Sequence, residues 1–311
     1  MNRLALYVFW EQHGNVHDHV VYYLRGLFEV AQDVAVIVNG ALSEEGRKCL
    51  KGIGVDFFVR ENRGIDFAAW KAGLAYVGWD KVRQYDELVL CNCSCYGPAY
   101  PFSEVFDRME DRDCDFWGIN RQPDLPNKLI GPDGNRFPMT EHIQSYFYVF
   151  RKRILQSEAF RLWWDNLVEA RSYWEEIREH ELKFSGYLEQ AGFVGDTLMD
   201  FQKYRALAPS GDAWSACADV QLAEDRNPLV KRKAVFSSTD VAIRVLEHLH
   251  YHTDYPVEII LKDKPNRKYI SLLNIIKYHV MKYLCSERKR CLYEVKEKKS
   301  LFWYYLYLQL K

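Results

Sequence analysis

The first hundred residues alternate short apolar runs with stretches in which apolar positions recur every three or four residues. Leu4–Trp10 (LALYVFW), Asp33–Val38 (DVAVIV), Val55–Val59 (VDFFV) and Glu87–Cys91 (ELVLC) read as strands. Leu88-Val89-Leu90 within the last of these reads as a buried strand. Between them, Val20, Val21, Leu24, Leu27 and Phe28 keep helical spacing, and Ser43 stands as an N-cap before Glu44-Glu45. Asp66–Tyr76 and Ser103–Met109 predict two further helices. Strands separated by helices imply right-handed crossovers, hence an α/β fold with a Rossmann-type, mostly parallel sheet flanked by helices. No G-x-G-x-x-G follows the first strand, so this half is of nucleotide-binding type without the dinucleotide fingerprint.

Asp115-Phe116-Trp117-Gly118 precedes a stretch rich in Pro, Asn and Gly, from Asn120 to Met139. A loop of that length inside a compact domain points to function. His142–Phe150 (HIQSYFYVF) reads as a strand with alternating aromatics, followed by helices over about Ser157–Trp174 and Glu175–Ala191. The pattern from Gly192 to Ser238 is irregular. From Tyr255 onward the chain changes character, with 13 Lys and Arg against 5 Asp and Glu, and it finishes in Leu301–Leu310 (LFWYYLYLQL). Two readings of this tail stand: an attachment to an anionic membrane face, or a helical segment packed on the domain or a second subunit. The predicted organisation is a domain over 1–235 and an extension over 236–311. No run approaches the ~20 apolar residues that a membrane span needs.

At 311 residues, 48% apolar and 27% charged, the composition is that of a globular chain with a full core. Aromatics, at 15%, fill cores and also stack on sugar rings. A net charge of −1 argues against a chain-wide nucleic-acid footprint. Met1-Asn2-Arg3 leads straight into a strand-like run, so a cytoplasmic location with reduced thiols is expected of the eight cysteines. Cys91, Cys93 and Cys95 alternate and would share one strand face, yet zinc would call for paired C-x-x-C spacing. His248, His250 and His252 alternate similarly, with nothing nearby to complete a metal site, and read as structural.

The candidate chemistry gathers at strand ends. The fourth strand stops in Asn92-Cys93-Ser94 and turns at Gly97-Pro98. In open α/β sheets the carboxyl ends of strands hold ligands. The third strand ends in Arg60-Glu61-Asn62-Arg63-Gly64, followed by Asp66-Phe67-Ala68-Ala69-Trp70, on the same rim of a parallel sheet. Gly64 would let backbone approach a ligand closely, and the arginines carry charge for a diphosphate. Asn39, ending the second strand, either meets a nucleotide base or makes a plain turn. His142 and Gln144, in His142-Ile143-Gln144-Ser145-Tyr146-Phe147, are candidates to touch the acceptor or phosphate.

Together these segments resemble the rhamnan synthesis F family, bacterial glycosyltransferases of rhamnose-containing polysaccharides. The resemblance rests on four ordered motifs, Arg60–Trp70, Tyr85–Pro98, Asp115–Gly118 and His142–Phe147, and covers roughly residues 1–235. It implies a GT-A-like fold. It also implies transfer of a deoxysugar, L-rhamnose from dTDP-rhamnose, to a lipid-linked glycan in cell-surface polysaccharide assembly (O-antigen, capsule or rhamnan), at the inner face of the cytoplasmic membrane. Two positions depart from the family pattern: Ala68 replaces a glycine, and Cys93 replaces the acid of the strand-end triplet. Enzymes of this fold commonly bring Mg²⁺ or Mn²⁺ to the donor diphosphate at that place, and hard cations prefer carboxylate oxygen to thiol. Metal-independent transfer, with Arg60 or Arg63 stabilising the leaving group, is therefore the alternative; no redox cofactor is implied. A further resemblance, to inverting enzymes with an acidic residue before a helix ending in Gly-aromatic, points to Glu181, ahead of Gly192-Phe193, as the base. Asp115 and then Asp66 follow as candidates, Asp66 more as a brace for the nucleotide loop. Cys93 also keeps open a catalytically inactive, donor- or glycan-binding subunit of a synthase complex.

Overall fold

The computed structural model of the chain describes residues 1–131, 134, 136–205, 207, 213–237 and 239–263, and the basic aromatic tail beyond residue 263 lies outside them. A compact unit runs from Met1 to Lys262. Its first part follows the predicted alternation: β1 (Arg3–Phe9), α1 (Asp18–Phe28), β2 (Asp33–Asn39), α2 (Glu44–Ile53), β3 (Asp56–Arg60), α3 (Ile65–Val77), α4 (Trp79–Val82) and β4 (Glu87–Asn92). β1 pairs in parallel with β2 and β4, and β2 in parallel with β3. Ser43 caps α2, accepting the Gly46 N–H at 2.9 Å.

The chain continues through β5 (Cys95–Tyr96), α5 (Phe102–Glu110), β6 (Phe116–Gln122), β7 (Leu125–Ile130), β8 (Arg136–Met139), β9 (His142–Ile143) and β10 (Phe147–Arg151). Next come α6 (Lys152–Leu155), α7 (Glu158–Asn166), α8 (Tyr173–Glu176), a π-helical turn at Ile177–Glu181, α9 (Leu182–Gln190) and β11 (Gly195–Met199). The central sheet has the order β11-β6-β10-β4-β1-β2-β3. β10 runs antiparallel to both β4 and β6, and β11 pairs in parallel with β6. This is a mixed α/β fold with a mostly parallel sheet.

The two-residue period of each strand sends alternate side chains into two cores. Ala5, Tyr7, Phe9, Val36, Val89 and Trp117 meet α1 and α5 on one face. Leu4, Leu6, Val8, Ile37, Leu90 and Phe150 meet Trp70 of α3, Trp164 of α7 and Phe184 of α9 on the other. Burial on both faces explains the near-continuous apolar runs of β1, β2 and β4.

Three expectations change. The predicted loop over 120–139 holds the end of β6 and a β7–β8 hairpin. The predicted strand over 142–150 divides at Gln144-Ser145-Tyr146, because the Gln144 N–H turns back to the Asn120 carbonyl at 3.1 Å. The first of the two long helices stops at Leu167, whose extended backbone (ψ 122°) leaves α7, and Ser172 caps a new start by accepting the Glu175 N–H at 3.1 Å.

Beyond β11 the chain forms α10 (Phe201–Arg205), α11 (Ala213–Ala216), α12 (Ala218–Asp225), β12 (Val230–Lys231), α13 (Arg232–Ser237), α14 (Thr239–His252) and α15 (Glu258–Lys262). This stretch returns to the sheet rim, since β12 pairs antiparallel with β5, with Lys231 opposite Cys95 and Val230 opposite Tyr96.

Candidate functional site

β1, β2, β3 and β4 all run the same way, so Trp10, Asn39, Arg60 and Asn92 come out on one rim. Gly64 makes the turn into α3 with φ +65°, and a Cβ there would lie 2.5 Å from Ala68 Cβ and 2.9 Å from Glu169 Cβ. Only a glycine lets this loop fold back on the helix it opens.

Asn39 and Arg60 are committed to this loop. The Asn39 amide donates to the Ile65 carbonyl at 3.1 Å and accepts from Arg60 Nη1 at 2.7 Å. Arg60 also donates to the Arg63 carbonyl at 2.8 Å and meets Glu169 at 3.4 Å. Both residues therefore brace the loop. Arg63 and Asn62 are exposed, with Arg63 within 3.5 Å of Glu169 and 3.7 Å of Glu61.

The strand-end triplet is linked to α3 by side chains. Asn92 Nδ2 donates to Asp66 Oδ2 at 2.8 Å, while Asn92 Oδ1 accepts from the Ser94 backbone N–H at 3.1 Å and from the Ser94 hydroxyl. Asn92 is buried and Ser94 exposed. Burial, and then the charge of Glu176, push the Asp66 carboxyl up to about 7, with Glu181 adding to the rise and the Asn92 amide opposing it.

Glu176, which no motif marked, stands beside this pair. It is buried, accepts the Phe67 N–H at the start of α3 at 2.8 Å, and meets His180 Nδ1 at 2.7 Å. Its i, i+4 relation to His180 was the available signal. The π-helical turn that follows carries Glu181, whose Oε1 accepts the Ser145 backbone N–H at 3.2 Å. The His142–Phe147 motif thus supplies a main-chain donor that orients the candidate base. Asp66, Asn92, Ser94 and Glu181 form one neighbourhood.

Other candidates fall outside it. Asp115 precedes β6 at the opposite, amino edge of the parallel strands, where its carboxylate takes the Arg153 guanidinium and the Val194 N–H. It joins β6 to the loop before β11 and does not reach the rim. His142 is buried in β9, with Nδ1 2.6 Å from the Thr140 carbonyl. Gln144 holds the turn after β9, and its side-chain oxygen is buried without a hydrogen-bond partner among the described residues.

Three rim residues had no motif to mark them. Trp10, 52% exposed at the end of β1, lies 4.0 Å from where a Gly40 Cβ would stand. Lys231 lies over the Tyr146 ring at 4.6 Å. The Arg232 backbone N–H donates to the Ser94 carbonyl at 2.9 Å, and its guanidinium reaches toward the Cys93 carbonyl at 3.5 Å.

The triplet's donor set does not fit a hard divalent cation. Both ends of the Asn92 amide are taken, and the Cys93 thiol points to the Trp10 carbonyl at 3.6 Å. Burial foremost raises the Cys93 thiol, which therefore stays protonated near neutrality. Cys91 and Cys95 belong to the core, and burial raises both thiols, Cys95 to about 11. Among the described residues no three His, Cys, Asp or Glu side chains converge to hold a metal ion, and the six described cysteines are free thiols.

A family model described as rhamnan synthesis protein F matches residues 34–309. A protein of Sinorhizobium fredii (strain NBRC 101917 / NGR234), described as uncharacterized protein y4gN, is 24% identical over 170 residues, 55% of this chain and 42% of that protein. The match thus spans under half the length of that relative. Among solved structures, the inositol-1-phosphate CTP transferase of T. maritima aligns at 16% identity and a TM-score of 0.36, over 63% of this chain and 84% of that one. Core-mannan synthase A of Aspergillus fumigatus, in its Mn/GDP form, aligns at 12% identity and a TM-score of 0.35, over 59% and 69%. Likeness at that level carries no ligand or activity over to this chain.

Proposed function

The chain belongs to the rhamnan synthesis protein F family, and on that premise we propose that it is a glycosyltransferase whose donor and acceptor meet at the carboxyl rim of its sheet. The donor is a nucleotide sugar, dTDP-L-rhamnose, and the acceptor is a lipid-linked glycan of a cell-surface polysaccharide. The reaction inverts the anomeric centre. The observation that carries this reading is the convergence of three separate segments. Asp66 is joined to Asn92, and Glu181, held by the Ser145 N–H, contributes to the charge that Asp66 feels.

Each residue then has a task. The braced loop 60–65 and the Asn92–Ser94 turn receive the diphosphate, with Ser94 and Arg63 both exposed there. Trp10 offers a flat face on which a nucleobase stacks. Glu181 takes the proton from the acceptor hydroxyl as that oxygen bonds to the sugar's anomeric carbon. The bond from that carbon to the diphosphate breaks, and the nucleoside diphosphate leaves with the electron pair from the opposite face.

Among the described residues no helix is long and apolar enough to cross a membrane. Attachment to the inner face of the cytoplasmic membrane through the tail is part of the proposal, and the tail beyond residue 263 lies outside the described residues.

A panel of sugar nucleotides with lipid-linked acceptor tests the reading. The Glu181→Gln variant is expected to keep donor affinity within about threefold while kcat falls at least 100-fold, on the scale of lost general-base catalysis. Unchanged turnover in that variant removes Glu181 as the base. Cys93 favours a second reading, an inactive donor-binding subunit. It predicts donor binding without transfer by the native chain, with activity appearing in Cys93→Asp.

A further inference from the structure

A nucleoside diphosphate brings two or more negative charges to a rim that already holds Asp66, Glu176 and Glu181. Something cationic must offset them. The strand-end triplet, with its amide engaged and its thiol protonated, has no ligand set for a hard cation. Arg60 is spent on Asn39, the Arg63 carbonyl and Glu169.

Two cations reach the triplet from more than 130 residues away in the chain. Gly97 lets them approach: a Cβ there would lie 2.5 Å from the Pro228 carbonyl oxygen, which accepts the Ala99 N–H at 2.7 Å. This close passage aligns β12 on β5 and sets Arg232 beside Cys93 and Ser94, and Lys231 over Tyr146. Tyr146 is next in sequence to Ser145, the residue that orients Glu181. One cation thus stands beside the triplet, and the other over the ring next in sequence to the residue that holds the candidate base. The field of Arg232 is felt there: it opposes the upward shift that burial gives the Cys93 and Cys95 thiols and the Tyr7 hydroxyl.

We propose that Arg232, with Lys231, binds the donor diphosphate and supplies the positive charge that a divalent metal supplies where the triplet is acidic, so that donor binding and departure of the nucleoside diphosphate need no metal. The inference rests on the glycosyltransferase reading. Arg232 offers a planar fork of donors to phosphate oxygens and Lys231 a compact point charge. As the bond to the anomeric carbon breaks, charge grows on the bridging oxygen, and both side chains stabilise it without accepting or giving a proton.

The test is calorimetric titration of the full chain with dTDP, UDP, GDP and thymidine, in EDTA and again in Mn²⁺. The preferred diphosphate is expected to bind equally well, within about twofold, in both buffers. Arg232→Gln is expected to weaken that binding at least 10-fold, Lys231→Gln about 3- to 10-fold, and Arg232→Lys less than Arg232→Gln. Thymidine affinity should stay put in all three variants, a readout that a misfolded rim would not give. Diphosphate binding that requires Mn²⁺, or that survives Arg232→Gln intact, overturns the proposal and leaves the glycosyltransferase reading standing. Failure of the native chain to bind any of the three diphosphates in either buffer overturns both.

Discussion

Asp66 sits where function and stability pull in opposite directions. Its carboxyl is raised to about 7 from an ordinary 3.8, by burial first and by the nearby Glu176 second. In the unfolded chain the proton leaves near 3.8, whereas the folded protein keeps it to about 7. The folded state therefore binds more protons across that window, and its stability declines as pH rises through it. Above pH 7 the full penalty stands. Asp66→Asn preserves an acceptor for the Asn92 amide and removes the charge. It is expected to exceed the native chain in stability by on the order of 2 kcal/mol at pH 8 and to match it near pH 4, while transfer activity falls. Urea midpoints at the two pH values decide this, and an equal difference at both would refute it. Such residual strain is common where acidic groups are crowded for chemistry.

Among the elements, the turn between β9 and β10 ties the sheet to the base. Gly118 of β6 makes room for it: a Cβ there would collide with Ile143 of β9 and stand 3.0 Å from the Phe147 carbonyl oxygen. Ser145, between those two contacts, gives its N–H to Glu181. Gly118→Ala is expected to destabilise the protein by about 1–3 kcal/mol through overpacking and to lower kcat more than donor affinity. Paired stability and kinetic measurements check it, and a loss confined to donor affinity would count against this coupling. The glycine of Asp115–Gly118 and the His142–Phe147 motif were both legible in the sequence, but their meeting was not, because antiparallel return of β10 beside β6 leaves no local mark. The parallel strands were legible because burial on both faces makes them apolar throughout. The β7–β8 hairpin was hidden by its Pro, Asn and Gly content, and β11 by its mixed Gly-Asp-Thr start. Arg232 was out of reach for a different reason: only the non-local β12–β5 pairing gives it a place at the rim.

At the scale of the whole described unit, α14 packs on α12 and on α13, the helix that follows β12, and meets the turn at Tyr100. His248 of α14 approaches the Tyr100 hydroxyl at 2.6 Å, and that hydroxyl donates to the Leu222 carbonyl at 3.0 Å. Arg244 of α14 also pairs with Asp219 of α12 at 2.7 Å. Burial, then the neighbouring His252, lowers the His248 imidazole to about 4 from 6.5, against the pull of Asp219. Here the unfolded chain takes up a proton near 6.5 and the folded chain only near 4, so stability is lost as pH falls through that interval. The sign is opposite to that of Asp66 over nearly the same range. The two contributions partly cancel, and a flat native profile between pH 4 and 7 would conceal both. Single variants separate them. His248→Gln keeps a hydrogen-bonding side chain near Tyr100 and removes the titration. Relative to the native chain it should gain on the order of 1 kcal/mol between pH 7 and pH 4.5, after discounting for solvent screening of a half-buried group. Asp66→Asn should shift the profile the other way, gaining toward alkaline pH. If the His248→Gln difference does not change with pH, the imidazole is not held neutral by the fold, and the attachment of α14 to the Tyr100 turn is insensitive to acid.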